Sequence, residues 1–374
     1  DQWLDPSSFR VGFDLYNDDP STTDGTKNLY PLSGPHSFFK RLRILCNGQI
    51  VEDIDDYNRV HEMFANLQPR EKRDDDEAEG FGNMWDIEYG VSTGDRATLS
   101  ENTAYKRLPR IPLNQFRRVL FKPLSGLLAQ PKYIPLRYCP LTIELELVNN
   151  KEDPIMSNFY DYTNAFNDDN TTKLWRIENA VVKCDVCTLD NALDNSYAEH
   201  LLSGKSLPIN YNTFISQIQS ILSGTNGQKK VRLNVTRALS RLKSVFITFY
   251  RENITKDSST VGRNRFNTFY SPAKVYDEAM TPDEYGFEFQ LQVGSKLYPE
   301  YPVTGHTEAY YHLRKAVGGQ ANKYNTIGIT QRQYAGAKFI IGMDMERVLE
   351  SGFSGINTRA GDIMNINFEH NNAD

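Results

Sequence analysis

Apolar and polar residues alternate with a period of two along much of the chain, the spacing that places apolar side chains on one face of a half-buried strand. Phe9, Val11, Phe13 and Leu15 alternate with Arg10, Gly12 and Asp14. Leu42 and Ile44 run into Asn47-Gly48, a pair that tolerates positive φ and predicts a hairpin. Phe116 to Phe121 is a short candidate strand, and Leu141, Ile143, Leu145 and Leu147 against Thr142, Glu144 and Glu146 give the clearest pattern. Trp175 and Ile177, then Val182, Cys184 and Val186, continue it. The second half repeats the theme at Val231 to Val235, Val245 to Phe249, Phe287 to Val293, Phe339 to Met345 and Met364 to Phe368.

Helical spacing appears only in short inserts: Tyr57, Val60, Phe64 and Leu67; Leu193, Tyr197 and Leu201; Tyr310, Leu313 and Val317. Phe214 to Leu222 fits either period. Long polar connections lie at Pro69 to Ser100, Lys151 to Thr172 and Glu252 to Asp283, beyond the ~15 residues usual for a compact domain, and suit subunit contacts. Antiparallel strands with long crossing loops and few helices favour a β-sandwich of Greek-key or jelly-roll type over a parallel α/β sheet.

Length divides this pattern. A chain of 374 residues exceeds the ~250 at which single cores stop growing, so two domains are expected, with a boundary near Asp190 giving residues 1–190 and 191–374. With 39% hydrophobic and 24% charged residues the chain can fill cores and keep a soluble surface. The net charge of -6 offers a phosphate backbone no overall attraction, so no sequence-specific nucleic-acid partner is expected. The basic clusters Lys40, Arg41, Arg43 and Arg117, Arg118, Lys122 read as solvated strand faces or subunit contacts.

Cys46, Cys139, Cys184 and Cys187 are too few and too irregular for a disulfide framework, and a reducing compartment is the simpler expectation. No apolar run approaches the ~20 residues of a membrane span, so no transmembrane segment is expected. The start at Asp1, with no basic-then-apolar leader, predicts that a leader or arm has been lost.

A family resemblance enters here. Trp3-Leu4-Asp5-Pro6 before a strand resembles the start of the first jelly roll in major capsid proteins of polinton-like viruses and virophages, relatives of the adenovirus hexon. So do Ser37-Phe38-Phe39-Lys40-Arg41-Leu42-Arg43-Ile44, the following Asn47-Gly48, and Val51-Glu52-Asp53-Ile54. In the second half Val293-Gly294-Ser295-Lys296, Tyr298-Pro299-Glu300-Tyr301-Pro302, Glu308-Ala309-Tyr310 and Gly355-Ile356-Asn357-Thr358-Arg359-Ala360-Gly361-Asp362 are similar to that group.

The resemblance implies an all-β double jelly roll with short helices in its loops. It also implies a homotrimer forming a pseudo-hexagonal capsomer of an icosahedral shell, assembled inside the host cell, with neighbouring capsomers, a penton protein and minor capsid proteins as partners. That family's second roll continues with further closing strands, so the final strand after Phe368 is expected to be missing, disordered or supplied otherwise.

Chemical motifs add little. Cys184-Asp185-Val186-Cys187 has a redox or half-zinc spacing, but in a strand positions i and i+3 face opposite ways and no second pair is expected. Ser203-Gly204-Lys205-Ser206 imitates the end of a phosphate loop, yet Glu199 stands at the earlier glycine position, and a helix ending at Gly204 is preferred. His36, His61, His200, His306, His312 and His370 form no ligand pattern, and Glu308 with His312 reads as a surface pair.

Glu144 and Glu146 share a strand face as a glycosidase acid pair would, and read instead as a solvated face. Asp74, Asp75, Asp76 and Glu77 lack calcium-loop spacing and suggest a disordered acidic loop. Asn170, Asn234 and Asn253 open glycosylation sequons that are expected to be unmodified. No catalytic, cofactor-binding or metal-binding residue is expected and no enzyme. The other readings are a carbohydrate-binding tandem β-sandwich and a β-sandwich glycoside hydrolase.

Overall fold

The computed structural model describes residues 2–20, 27–81, 111–155, 172–221, 229–250, 269–271, 286–318, 326–336, 338–346, 355–359 and 363–370. The first half carries β1 (Gln2–Leu4), β2 (Arg10–Asn17), β3 (Phe39–Cys46), β4 (Gln49–Ile54), α1 (Tyr57–Asn66), α2 (Arg70–Glu79), β5 (Phe116–Phe121), α3 (Gly126–Ala129), β6 (Ile134–Pro135), β7 (Leu141–Leu147), β8 (Trp175–Lys183), β9 (Val186–Thr188) and α4 (Asn191–Leu202). The second carries β10 (Lys229–Val235), β11 (Ser244–Ile247), β12 (Phe287–Val293), β13 (Lys296–Thr304), α5 (Gly305–Ala316), α6 (Gln331–Ala335), β14 (Ile341–Asp344) and β15 (Met364–His370).

Strand pairing is nested in both halves. β2 pairs with β8 while β3 pairs with β7, and β10 pairs with β15 while β11 pairs with β14, all antiparallel. A long hairpin rolled so that its outer pair and its next pair fall in opposite sheets is a jelly roll, and this chain makes two. In the first roll β5-β2-β8 faces β4-β3-β7. Phe13 from one sheet meets Phe39 from the other edge-on, with centroids 5.6 Å apart. In the second, β10-β15-β12-β13 faces β11-β14, and Phe287 and Phe339 close the gap edge-on at 5.3 Å. Helix α5 lies over β14 so closely that a Cβ on Gly342 would press on the Leu313 side chain.

The predicted hairpin is present, with Asn47 at φ 51° and Gly48 at φ 79°. The three expected helices appear as α1, α4 and α5. Strand β13 was not foreseen because Pro299 and Pro302 interrupt its pattern. It sits at the edge of its sheet, where a missing N–H costs no ladder bond.

Two expectations are corrected. The acidic run Asp74 to Glu77 belongs to helix α2, because Arg, Glu, Lys and Ala flank the weaker helix former Asp on both sides and Lys72 and Asp76 approach to 3.7 Å one turn apart. Cys46 and Cys139 form a disulfide, with Cα atoms 5.3 Å apart. Cys46 ends β3 opposite Leu141, so the residue two before Leu141 reaches it, and the 93 residues between the cysteines concealed the pair.

Residues 205–221 resolve the Phe214 ambiguity by adopting neither period. They form a strap without helix or strand, laid on the first roll. Tyr211 donates its hydroxyl to the Val51 carbonyl (2.8 Å), Ser216 to the Asp55 carbonyl (2.6 Å), and Thr213 to Glu52 Oε1 (3.0 Å). The same buried Glu52 accepts the Gly126 N–H at 2.8 Å and the Ser125 hydroxyl, which binds hairpin, α3 and strap together.

Helix α1 joins the two rolls. Tyr57 is buried in the first core, while Met63 and Leu67 are buried in the second. Phe64 meets Phe214 of the strap and Phe246 of β11 at 4.8 and 5.1 Å.

Two measurements follow from these contacts. A Cβ on Gly126 would fall on the Asn212 carbonyl. The substitution Gly126→Ala is therefore expected to lift the strap, lowering stability by about 1–3 kcal/mol and speeding limited proteolysis within residues 205–221. Unchanged cleavage there would remove the strap's role. A non-reducing peptide map of the oxidised protein should recover the Cys46 and Cys139 peptides as one linked species, with Cys184 and Cys187 free for alkylation.

Candidate functional site

The motifs singled out in the sequence do not converge. Cys184 is exposed in the link between β8 and β9, beyond the alternation expected to contain it, and Cys187 pairs with Trp3 from within β9. Ser203 closes α4, and Gly204 takes the positive φ of 76° that ends it, as expected. Glu308 accepts the Thr304 N–H at 2.8 Å at the start of α5, and its charge also acts on His312 one turn on. Asn234 is exposed on β10, whereas Asn170 and Asn253 lie outside the described residues. No group of three or more His, Cys, Asp or Glu could hold a metal ion among the described residues.

The charged clusters neutralise one another across the sheet. Glu144 and Glu146 stand opposite Arg43 and Arg41 in the register of β3 and β7, with Arg43 and Glu144 3.2 Å apart. Arg41 also grips Asp53 through two hydrogen bonds of 2.8 and 2.7 Å, which holds the Asp53 carboxyl below its ordinary pKa. Arg118 does the same to Asp14, at 2.7 and 2.8 Å. Arg41, Arg43 and Arg118 are thus strand-face partners of carboxylates.

A polar cluster that sequence reasoning missed lies inside the joint. Asn58, Glu62 and Asn66 recur every four residues on α1 and are all buried. Their stripe between apolar positions was the available signal, because a helix with buried residues all round belongs inside a protein. Glu62 Oε2 accepts the Ser33 hydroxyl and lies 2.9 Å from His36 Nε2, while Asn66 Nδ2 donates to Glu62 Oε1 at 3.3 Å. The His36 and His61 rings stack with centroids 3.9 Å apart. His61 Nε2 lies 3.3 Å from the Lys122 carbonyl; its buried Nδ1 makes no hydrogen bond among the described residues.

Desolvation drives both histidines away from the charged form, His36 to a pKa of about 3 and His61 well below its ordinary value. It pushes the Glu62 carboxyl up to about 7. The second roll contributes buried Lys338, whose charge acts on Glu62, and Tyr250, whose ring lies under the Arg59 guanidinium at 4.2 Å. Gly328 anchors the same junction by accepting from Arg73 Nη2 at 3.0 Å.

Exposed apolar side chains include Phe116, Leu147, Val181 and Val182 on the first roll's strands, and a further group gathers around α4. Helix α4 buries none of its residues, and Leu193 and Leu202 are exposed on it. It touches the β6-β1-β9 sheet through Tyr197 on Trp3, at 4.8 Å between centroids, and through Asp194 near Arg137, at 3.6 Å. Val186, Tyr133 and Tyr138 are exposed around that sheet. A helix this poorly covered gains little from its own packing.

No protein-family model and no curated protein matches this chain. Solved structures do. One is the PBCV-1 VP54 crystal structure fitted into a cryo-EM reconstruction of the virophage Sputnik, which matches 98% of this chain and 77% of its own, with a TM-score of 0.55 and 10% identity. Another is a quasi-atomic model of the PBCV-1 virus capsid, with 97% and 76% coverage, a TM-score of 0.54 and 12% identity. At such identities the likeness is one of fold, and it spans both jelly rolls.

Proposed function

We propose that this chain is the major capsid protein of a double-stranded DNA virus and builds the icosahedral shell as a homotrimeric capsomer. The observation that carries the reading is the fold match along 97–98% of the chain to structures of virus capsids. Physical logic supports it. Two similar rolls per chain give a three-fold assembly six similar units, so a trimer can occupy positions with six neighbours. The disulfide and the strap stiffen each protomer, as a shell subunit requires.

The role is structural. The acid pair that a glycosidase would use, Glu144 and Glu146, lies in a ladder with Arg43 and Arg41, which does not favour the hydrolase reading. No helix among the described residues is long and apolar enough to cross a membrane. Neighbouring capsomers, a penton protein and minor capsid proteins are the proposed partners, and the virion capsid the proposed location. The poorly covered α4 region is a surface that contact between protomers would bury.

Negative-stain electron microscopy of the purified chain should give three-fold particles of near-hexagonal outline, and sedimentation should give three times the 42.8 kDa chain mass. Compact monomers at micromolar concentration by both methods would overturn the trimeric capsomer.

A further inference from the structure

The polar cluster in the joint does more than fill space. Its members come from three places: Ser33 and His36 precede β3, His61, Glu62 and Asn66 belong to α1, and Lys338 precedes β14 of the second roll. We propose that this cluster is an acid-sensitive lock between the two jelly rolls, closed at neutral pH and released when its histidines take up protons. The inference stands apart from the capsid reading, because it concerns how one chain holds its two rolls together.

The geometry leaves the stacked histidine pair poorly placed to carry charge while the joint is closed. A proton on His61 Nδ1 would create a buried N–H without an acceptor, 3.9 Å from the stacked His36 ring. A proton on His36 would be welcome beside a charged Glu62 carboxylate 2.9 Å away, but burial pushes that carboxyl up to about 7, so in acid a charged His36 faces a neutral group. Burial holds Glu62 toward its protonated form in the closed joint, against the opposing pull of buried Lys338. The titratable and charged groups around the cluster are His36, His61, Glu62 and Lys338, Tyr57 with its ring edge-on to His61 at 5.6 Å, and Tyr250 with Arg59 above it.

The signs oppose one another. For His36, whose folded pKa falls from 6.5 to about 3, stability is present above 6.5 and is lost as pH falls through that window. His61 acts in the same direction. For Glu62, raised from 4.5 to about 7, stability is present below 4.5 and is lost as pH rises through 7. Between pH 6.5 and 4.5 two histidines therefore work against one carboxyl, and opening takes up about one net proton. That is about a tenfold change in the opening constant per pH unit.

The test uses the full chain. Stability is measured from pH 7 to 4.5 for the wild type, His61→Gln and Glu62→Gln. The substitution His61→Gln should flatten the acid dependence by about tenfold per pH unit, and Glu62→Gln should steepen it by about the same factor. Changes of equal sign, or none, would overturn the lock. Hydrogen exchange of the wild type covers the case of a misfolded variant. After correction for intrinsic rates, peptides spanning 57–67 and 326–341 should lose protection together at pH 5 while β2 and β12 keep theirs. Retained protection at the joint, or uniform loss across both rolls, would equally overturn the proposal.

Discussion

Helix α1 is asked to be apolar on two sides at once, and much of the molecule follows from that. Tyr57 is completely buried in the first core, and Met63 and Leu67 serve the second. A helix covered on both flanks has little solvent-facing surface left, so its polar stripe of Asn58, Glu62 and Asn66 must find partners inside. Ser33, His36 and Lys338 surround Glu62 for that reason, and Arg73 and Gly328 tie the following helix to the same place. Removing the apolar flank would free the rolls, and removing the polar partners would leave a buried carboxyl unsatisfied.

The two rolls reach the same nested pairing with different means of closure. The first is fastened by covalent and polar clasps: the Cys46–Cys139 bridge, the Glu52 hub, and the bidentate Arg118 and Asp14 pair. The second relies on packed rings, in which Phe249, Phe287, Phe339 and Phe368 lie within 5.1–6.2 Å of one another along a chain of contacts. Strap 205–221 follows the division near Asp190 in sequence, yet Ile209, Tyr211 and Phe214 pack on the first roll while Gln217 and Gln219 donate to the Asn234 carbonyl of β10 at 3.2 and 2.8 Å. That division stands as a proposal about the rolls, with the strap as the connection between them.

Charge is spent laterally rather than toward a ligand. The β3 arginines are answered by carboxylates of β4 and β7, which occupy the solvent-facing side while Leu42 and Ile44 occupy the other. This accounts for the pairing of carboxylates with Arg41, Arg43 and Arg118 across strongly charged sheets.

The sequence by itself determined the all-β class and most of the strands, because period-two alternation is a local property of consecutive residues. Phe9 to Leu15, Leu141 to Leu147 and Phe287 to Val293 needed no tertiary information, nor did the Asn47-Gly48 turn or the three apolar helix stripes. The diffuse family resemblance added the double roll, which the nested pairing bears out. What only the tertiary structure decided is pairing at a distance. Cys46 meets Cys139 through the register of two strands; Glu62 meets His36 and Lys338 through the docking of two cores; residues 205–221 lie as they do because Gly126 leaves room for the Asn212 carbonyl. Each depends on which surfaces come together after the strands form, and no window of neighbouring residues carries that information.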